Sequence, residues 1–153
     1  MIATFSCSAT VTGALKPRTV FRDIEHALNA LILTAAGSTP LAWENMRYEP
    51  VIGTSYIQVF HDPLRTTSES LGYAGFTAHR GLTQLNVHTP VERGTKAAVT
   101  LADQLTGVIR RGIVATYNGV PVRILGLSLG PTDIQKAWAI LPVTINWHCY
   151  TPD

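Results

Sequence analysis

Charge is scarce in this chain. Charged residues fill 14% of its 153 positions, against roughly 25% in ordinary soluble domains, so little of the surface can be ionic. Such a surface suits a protein whose faces are covered by neighbours. The basic residues are scattered, Arg110-Arg111 is the only adjacent pair, and the net charge is +2. Without a basic patch there is no electrostatic footprint for DNA or RNA, and specific nucleic-acid binding is disfavoured. Long hydrophobic runs are missing too. No stretch approaches the roughly 20 apolar residues that span a bilayer, and the N-terminus lacks the positive segment and apolar stretch of a secretory signal. The expectation is a soluble protein made in the cytoplasm, with no membrane partner. Cysteine is limited to Cys7 and Cys149, at opposite ends of the sequence; in a cytoplasmic chain they are expected to be reduced and half-buried.

Reactive constellations are also lacking. His26 stands alone on a helical stretch, His61, His79 and His88 follow no ligand spacing, and His148 and Cys149 are neighbours on a strand, so their side chains leave opposite faces. There is no G-x-S-x-G elbow, no H-E-x-x-H and no glycine-rich phosphate loop. Asp23 and Glu25 fall in a first helical turn, where favourable interaction with the helix dipole accounts for them. Gly94-Thr95 ahead of a helix is explained by capping. No catalytic residue, metal or cofactor is expected.

What the chain has is periodicity. With 46% hydrophobic residues it can bury one core. Residues 3–11 alternate: Ala3, Phe5, Cys7, Ala9 and Val11 are apolar, and Thr4, Ser6, Ser8 and Thr10 are polar, the pattern of a strand with one buried face. Residues 1–18 form an N-terminal arm ahead of a domain spanning 19–153. Thr19 is placed as the N-cap of a first helix whose stripe runs through Phe21, Ile24, Leu28, Leu31 and Ala35, with Gly37 as its C-cap. An extended segment, 41–53, carries Trp43 and Pro50. The run Tyr56-Ile57-Gln58-Val59-Phe60 reads as a strand, and the polar residues 62–72 read as a surface loop, poorly ordered in the free protein. Residues 75–78 and 82–88 read as a strand or strand pair with a bulge or turn at Gly81. A second helix follows, capped by Thr95, with Ala98, Leu101, Ala102, Leu105, Val108 and Ile109 facing inward, Arg110-Arg111 at its negative end and Gly112 stopping it. Asn118-Gly119 marks a type I′ hairpin. The last strand covers about 137–150, and a change of apolar parity predicts a bulge at Leu141-Pro142. The fold class is α+β: a mostly antiparallel sheet of about six strands with two helices packed on one face.

Trp147 has the parity of a core residue. Trp138 is core or interface. Trp43, in a segment without periodicity, either pins that segment to the core or anchors a partner subunit.

The ordered set Trp43-x-Asn45, Pro50, Gly53-x-x-Tyr56, Arg80-Gly81-x-x-Gln84-x-x-Val87-x-x-Pro90 and Ala102-Asp103 resembles the tail terminator proteins of long-tailed bacteriophages. The resemblance covers roughly residues 19–150. It implies a structural virion protein that assembles as a hexameric ring at the head-proximal end of the tail tube. There it ends tube polymerisation and joins the tail to head-completion or connector proteins. Partners implied are further copies of the chain, the tail tube protein, the head-completion or connector protein and, where the tail is contractile, the sheath. Localisation would be the virion tail, after assembly in the host cytoplasm. Candidate interface residues are Phe5, Cys7 and Val11 of the arm, Trp43, Arg65, Thr67 and Glu69 of the polar stretch, and Trp138. The family begins close to the first helix, so the arm is an addition; it forms an edge strand of its own sheet or, the favoured reading, adds to a neighbouring subunit. The rivals are another small neck or minor tail protein, such as a head-completion protein, and a small-ligand-binding protein or enzyme.

Overall fold

A computed structural model describes residues 19–71 and 75–152. The arm, and with it Phe5, Cys7 and Val11, lies outside the described residues. The elements in chain order are α1 (Val20–Ala36), β1 (Leu41–Trp43), β2 (Tyr56–Ser68), β3 (Phe76–Pro90), α2 (Lys96–Val108), β4 (Val114–Tyr117), β5 (Val120–Leu129), β6 (Asp133–Gln135) and β7 (Trp138–Pro152). The strands form a sheet of seven, in the order β1-β2-β3-β7-β5-β4, with β6 beside the start of β7. Among the described strands only β1 is parallel to its neighbour, and the other pairings are antiparallel. The fold is α+β.

Both helices cover one face of the sheet. Alternation along β2, β3 and β7 sends Ile57, Val59, Leu85, Val87, Val143, Ile145 and Trp147 to that face, where they meet Ile24, Leu28 and Ile32 of α1 and Ala98, Ala102 and Leu105 of α2. In α1 the buried positions recur every three or four residues, as one helical stripe requires. Phe21 leaves the expected stripe: it is exposed and touches His79 edge-on, with ring centroids 5.4 Å apart. Gly37 ends α1 at φ 59°, its N–H reaching the Leu33 carbonyl at 3.3 Å. The α1 and α2 ends are joined by Gln104, whose amide donates to the Ala35 and Ala36 carbonyls at 3.1 and 3.0 Å.

Four local expectations are corrected. The polar stretch 62–72 is mostly strand: β2 continues to Ser68 and pairs with β3 through Ser68↔Thr77. Thr66 and Thr67 are β-branched and suit an extended backbone whatever their polarity. Gly81 does not interrupt β3, which runs unbroken for 15 residues; the irregularity lies across from it in β2, between Pro63 and Arg65. Leu141-Pro142 is no bulge, because β7 pairs in one unbroken register with β3. The extra residue is Leu125 in β5, between Ile124 and Gly126. Finally, α2 ends at Val108 with Ile109 as its cap, so Arg110 and Arg111 lie beyond its last turn; Ile109 is fully buried and turns the chain into the core before Gly112. The Asn118-Gly119 hairpin is as expected, both residues having positive φ, 51° and 79°.

Candidate assembly surfaces

Among the described residues the buried titratable groups are held by hydrogen bonds within the fold. His61 lies in a shallow cleft between α1 and β2 with Phe21, Glu25, Glu44, Pro63 and Trp147. Its Nε2 meets Asn29 Oδ1 at 2.7 Å and its Nδ1 meets Thr83 Oγ1 at 3.0 Å. The Trp147 indole N–H donates to the same Thr83 oxygen at 3.2 Å. Because Asn29 Oδ1 only accepts, the arrangement assigns the proton to Nε2 and lets the Thr83 hydroxyl donate to Nδ1. Burial pushes the His61 pKa down, outweighing the opposing pull of Glu25 and Glu44. His79 is buried between the hydroxyls of Thr66 and Thr151, each 3.1 Å away. Both imidazoles join strand to strand or strand to helix. Asp23 is buried rather than exposed at the helix start; it accepts from the Thr19 hydroxyl at 2.9 Å and faces the Asn118 amide at 3.5 Å, while its Oδ1 has no partner. Cys149 is buried, and burial raises its thiol pKa to about 11, which suppresses the thiolate. Among the described residues no three or more His, Cys, Asp or Glu side chains gather as a metal site, and no helix is long and apolar enough to cross a membrane.

The sheet face away from the helices has a different character. Register places Gln58 and Phe60 of β2, Gln84 and Asn86 of β3, and Pro142 and Thr144 of β7 in adjacent rows. None of these six carries a charge. At one end of this face Tyr56 stacks on His88, centroids 4.4 Å apart, with Tyr48 and Trp138 packed around the pair. Burial, and then the neighbouring Tyr48, raise the Tyr56 pKa; burial lowers that of His88 against the Asn86 carbonyl that its Nδ1 contacts at 3.0 Å. At the other end the β2–β3 hairpin carries Arg65 opposite Arg80. Glu69 offsets that like-charge pair by an ion pair to Arg80 at 2.8 Å. Exposed Leu71, Phe76 and Tyr150 lie at the same end.

The candidate interface residues therefore fall in separate places. Arg65, Thr67 and Glu69 do come together on the hairpin, Arg65 exposed and Thr67 half-buried. Trp43 sits on β1, half-buried and packed against the core, and pairs with Val59. Trp138 is half-buried against the edge of Tyr56 in the aromatic group. Sequence reasoning missed Tyr48, Tyr56 and His88 as one cluster, because Tyr56 and His88 become neighbours only through strand pairing. A parity argument on Tyr56 and Phe60 was the one available signal.

The model of a phage tail terminator protein family matches residues 23–147. The chain belongs to the phage tail terminator family. Membership makes it a structural component of a phage virion tail, and the family is not an enzyme family. Among solved structures, one chain is 22% identical with a TM-score of 0.65, covering 82% of this chain and 94% of that one. Another belongs to the virion of a native gene transfer agent particle; it is 13% identical with a TM-score of 0.51, covering 85% of this chain and 93% of that one. At these identities the likeness is one of fold. No curated protein matches the chain.

Proposed function

We propose that this tail terminator family member closes into a ring on the head-proximal end of the tail tube, ends tube growth there and presents its other face to head-completion or connector proteins. The observation that carries the reading is the family match over residues 23–147. A head-to-tail contact between identical subunits generates a ring when its rotation closes, and such a ring has two unlike faces, as a junction between tube and head requires. Six copies is the number the family resemblance implies. The uncharged rows around Gln84 and Thr144 fit burial against protein, since polar uncharged groups can pair across an interface without the desolvation cost of ions. The hairpin carrying Arg65, Thr67 and Glu69 and the aromatic corner around Trp138 are the contact regions we assign, with Trp43 supporting the edge of the same sheet. The tail sheath is a further partner where the tail is contractile.

The test is removal of the protein during assembly. Tubes made without it should vary in length and fail to join heads. Tubes of uniform length, joined normally to heads, would contradict the proposal.

A further inference from the structure

Which edge of this sheet is built to receive another strand follows from how each edge is protected. Strands β1 and β6 have three residues each. The four-residue β4 lies against α1, with Tyr117 stacked on His26 and its turn tied to Asp23 through Asn118. Past β1, the edge of β2 is guarded. The His61 N–H is taken by the Glu44 carboxylate at 3.4 Å, Pro63 has no N–H to offer, and the irregularity at Leu64 bends the strand. These are the usual devices against edge pairing.

The edge of β5 has one of them, the extra residue Leu125, and none from Gly126 to Leu129. Strand β4 covers β5 only as far as Arg123, and among the described residues nothing pairs with its outer side beyond Ile124. The Gly130 N–H donates to the Pro142 carbonyl at 2.9 Å, so alternation turns the backbone groups of Leu127 and Leu129 outward. The stretch Leu125-Gly126-Leu127-Ser128-Leu129 contains no charge and no proline, and Leu125 and Leu129 are exposed. Its two faces differ. Leu127 and Leu129 stand opposite Ile145 and Val143 on the helix side; Gly126 and Ser128 stand opposite Asn146 and Thr144 on the open side.

From this we infer that residues 3–11 of a neighbouring copy pair with residues 125–129 of β5. The inference rests on the ring reading for the presence of that neighbour. The arm sequence has the same division as the edge. Phe5, Cys7 and Ala9 extend the apolar row of Leu127 and Leu129, and Thr4, Ser6 and Ser8 extend the uncharged row of Ser128 and Thr144. The guarded β2 edge does not match, since its helix-side positions there are Thr66 and Ser68, opposite His79 and Thr77.

The ring reading supplies a neighbour whose arm can reach this edge. The first turn of α1 lies against Thr66, His79 and Thr151. The stretch runs from Gly126, paired with Asn146, to Leu129, paired with Val143, about 17 to 27 Å along β7 from Thr151 at roughly 3.4 Å per residue. Seven residues, 12–18, span at most about 25 Å, enough for the chain's own arm to reach Gly126, so the cross-link below is what separates the two arms.

Cys7 supplies the test. Full-length chains carrying Leu127→Cys or Leu129→Cys, with Cys149→Ala to silence the buried thiol, are assembled into tails and oxidised with oxidised glutathione, then run on non-reducing gels. Covalent dimers and higher multiples that vanish with Cys7→Ser are expected. A fast-migrating, internally bridged monomer would assign the edge to the chain's own arm and overturn the inference. So would cross-linking only to a Thr66→Cys chain. Amide exchange on wild-type protein provides a second readout: Leu127 and Leu129 should slow at least tenfold on assembly, and deleting residues 1–13 should abolish the slowing. Unchanged exchange contradicts the inference. A ring seen in the tail without these signals defeats strand exchange alone, whereas absence of the ring defeats the underlying reading.

Discussion

At Gly81 the missing side chain is a packing requirement. The residue pairs with Trp147, and a Cβ built there would run into the indole ring and come within 2.8 Å of the Asp62 carbonyl oxygen. Neither the ring nor the backbone can yield cheaply. Gly81→Ala should therefore destabilise the fold by about 1–3 kcal/mol, the usual cost of overpacking, measured by urea unfolding followed through tryptophan fluorescence. The same indole is held by Thr83, which also engages His61. The pKa values of His61, His88 and His148 are all lowered, chiefly by burial. A lowered folded-state value means that the unfolded chain takes up the proton first. Their contribution to stability is present above the unfolded value near 6.5 and is lost as pH falls through the lower folded values. Unfolding midpoints should fall as pH drops from about 7 to about 5; His61→Gln should flatten that dependence, and an unchanged slope would show that His61 does not carry it. In the sequence Gly81 was visible as an oddity inside a strand pattern, but its cause was not, because Trp147 is far along the chain and reaches it only through β7.

Among the elements, those governed by local rules were legible. The stripe of α1, the Gly37 terminus and the Asn118-Gly119 turn follow from periodicity and from backbone angles that few residues adopt. Long-range pairing hid the rest. The stretch 62–68 is polar enough to read as a loop, yet it gains its backbone partners from β3, and the parity change in β7 reflects what packs on each face and not a bulge. Two glycines separate these influences. Gly119 has open space around it but φ 79°, so Gly119→Ala should cost about 1–2 kcal/mol from backbone strain alone. Gly107, inside α2 and equally unobstructed, should gain about 0.5–1 kcal/mol on replacement by Ala. Thermal unfolding of the two variants provides the comparison. For β2, backbone amides of Arg65 and Thr67, which face β3, should be protected from exchange in the isolated protein; exchange at unprotected-loop rates would contradict the extended hairpin.

At the scale of the whole molecule, the described residues form a strongly one-sided sheet. Its helix-covered side holds the core, and its other side presents uncharged polar rows, an aromatic corner and a hairpin end with exposed apolar residues. Low charge hinted at covered faces, but which face was open depended on where the helices packed. The family could be recognised from the ordered turn and packing residues 43–103, since those positions constrain the backbone; the interface residues could not be ranked, because no local rule tells an exposed contact from an exposed side chain. The central claim is that copies of this protein form one ring where the tube meets the head. Electron cryomicroscopy of intact virions, at a resolution that follows the chain, tests it directly. The account predicts a single closed ring of this fold at the head-proximal end of the tube and nowhere else. Single copies, or copies distributed along the tail, would contradict it.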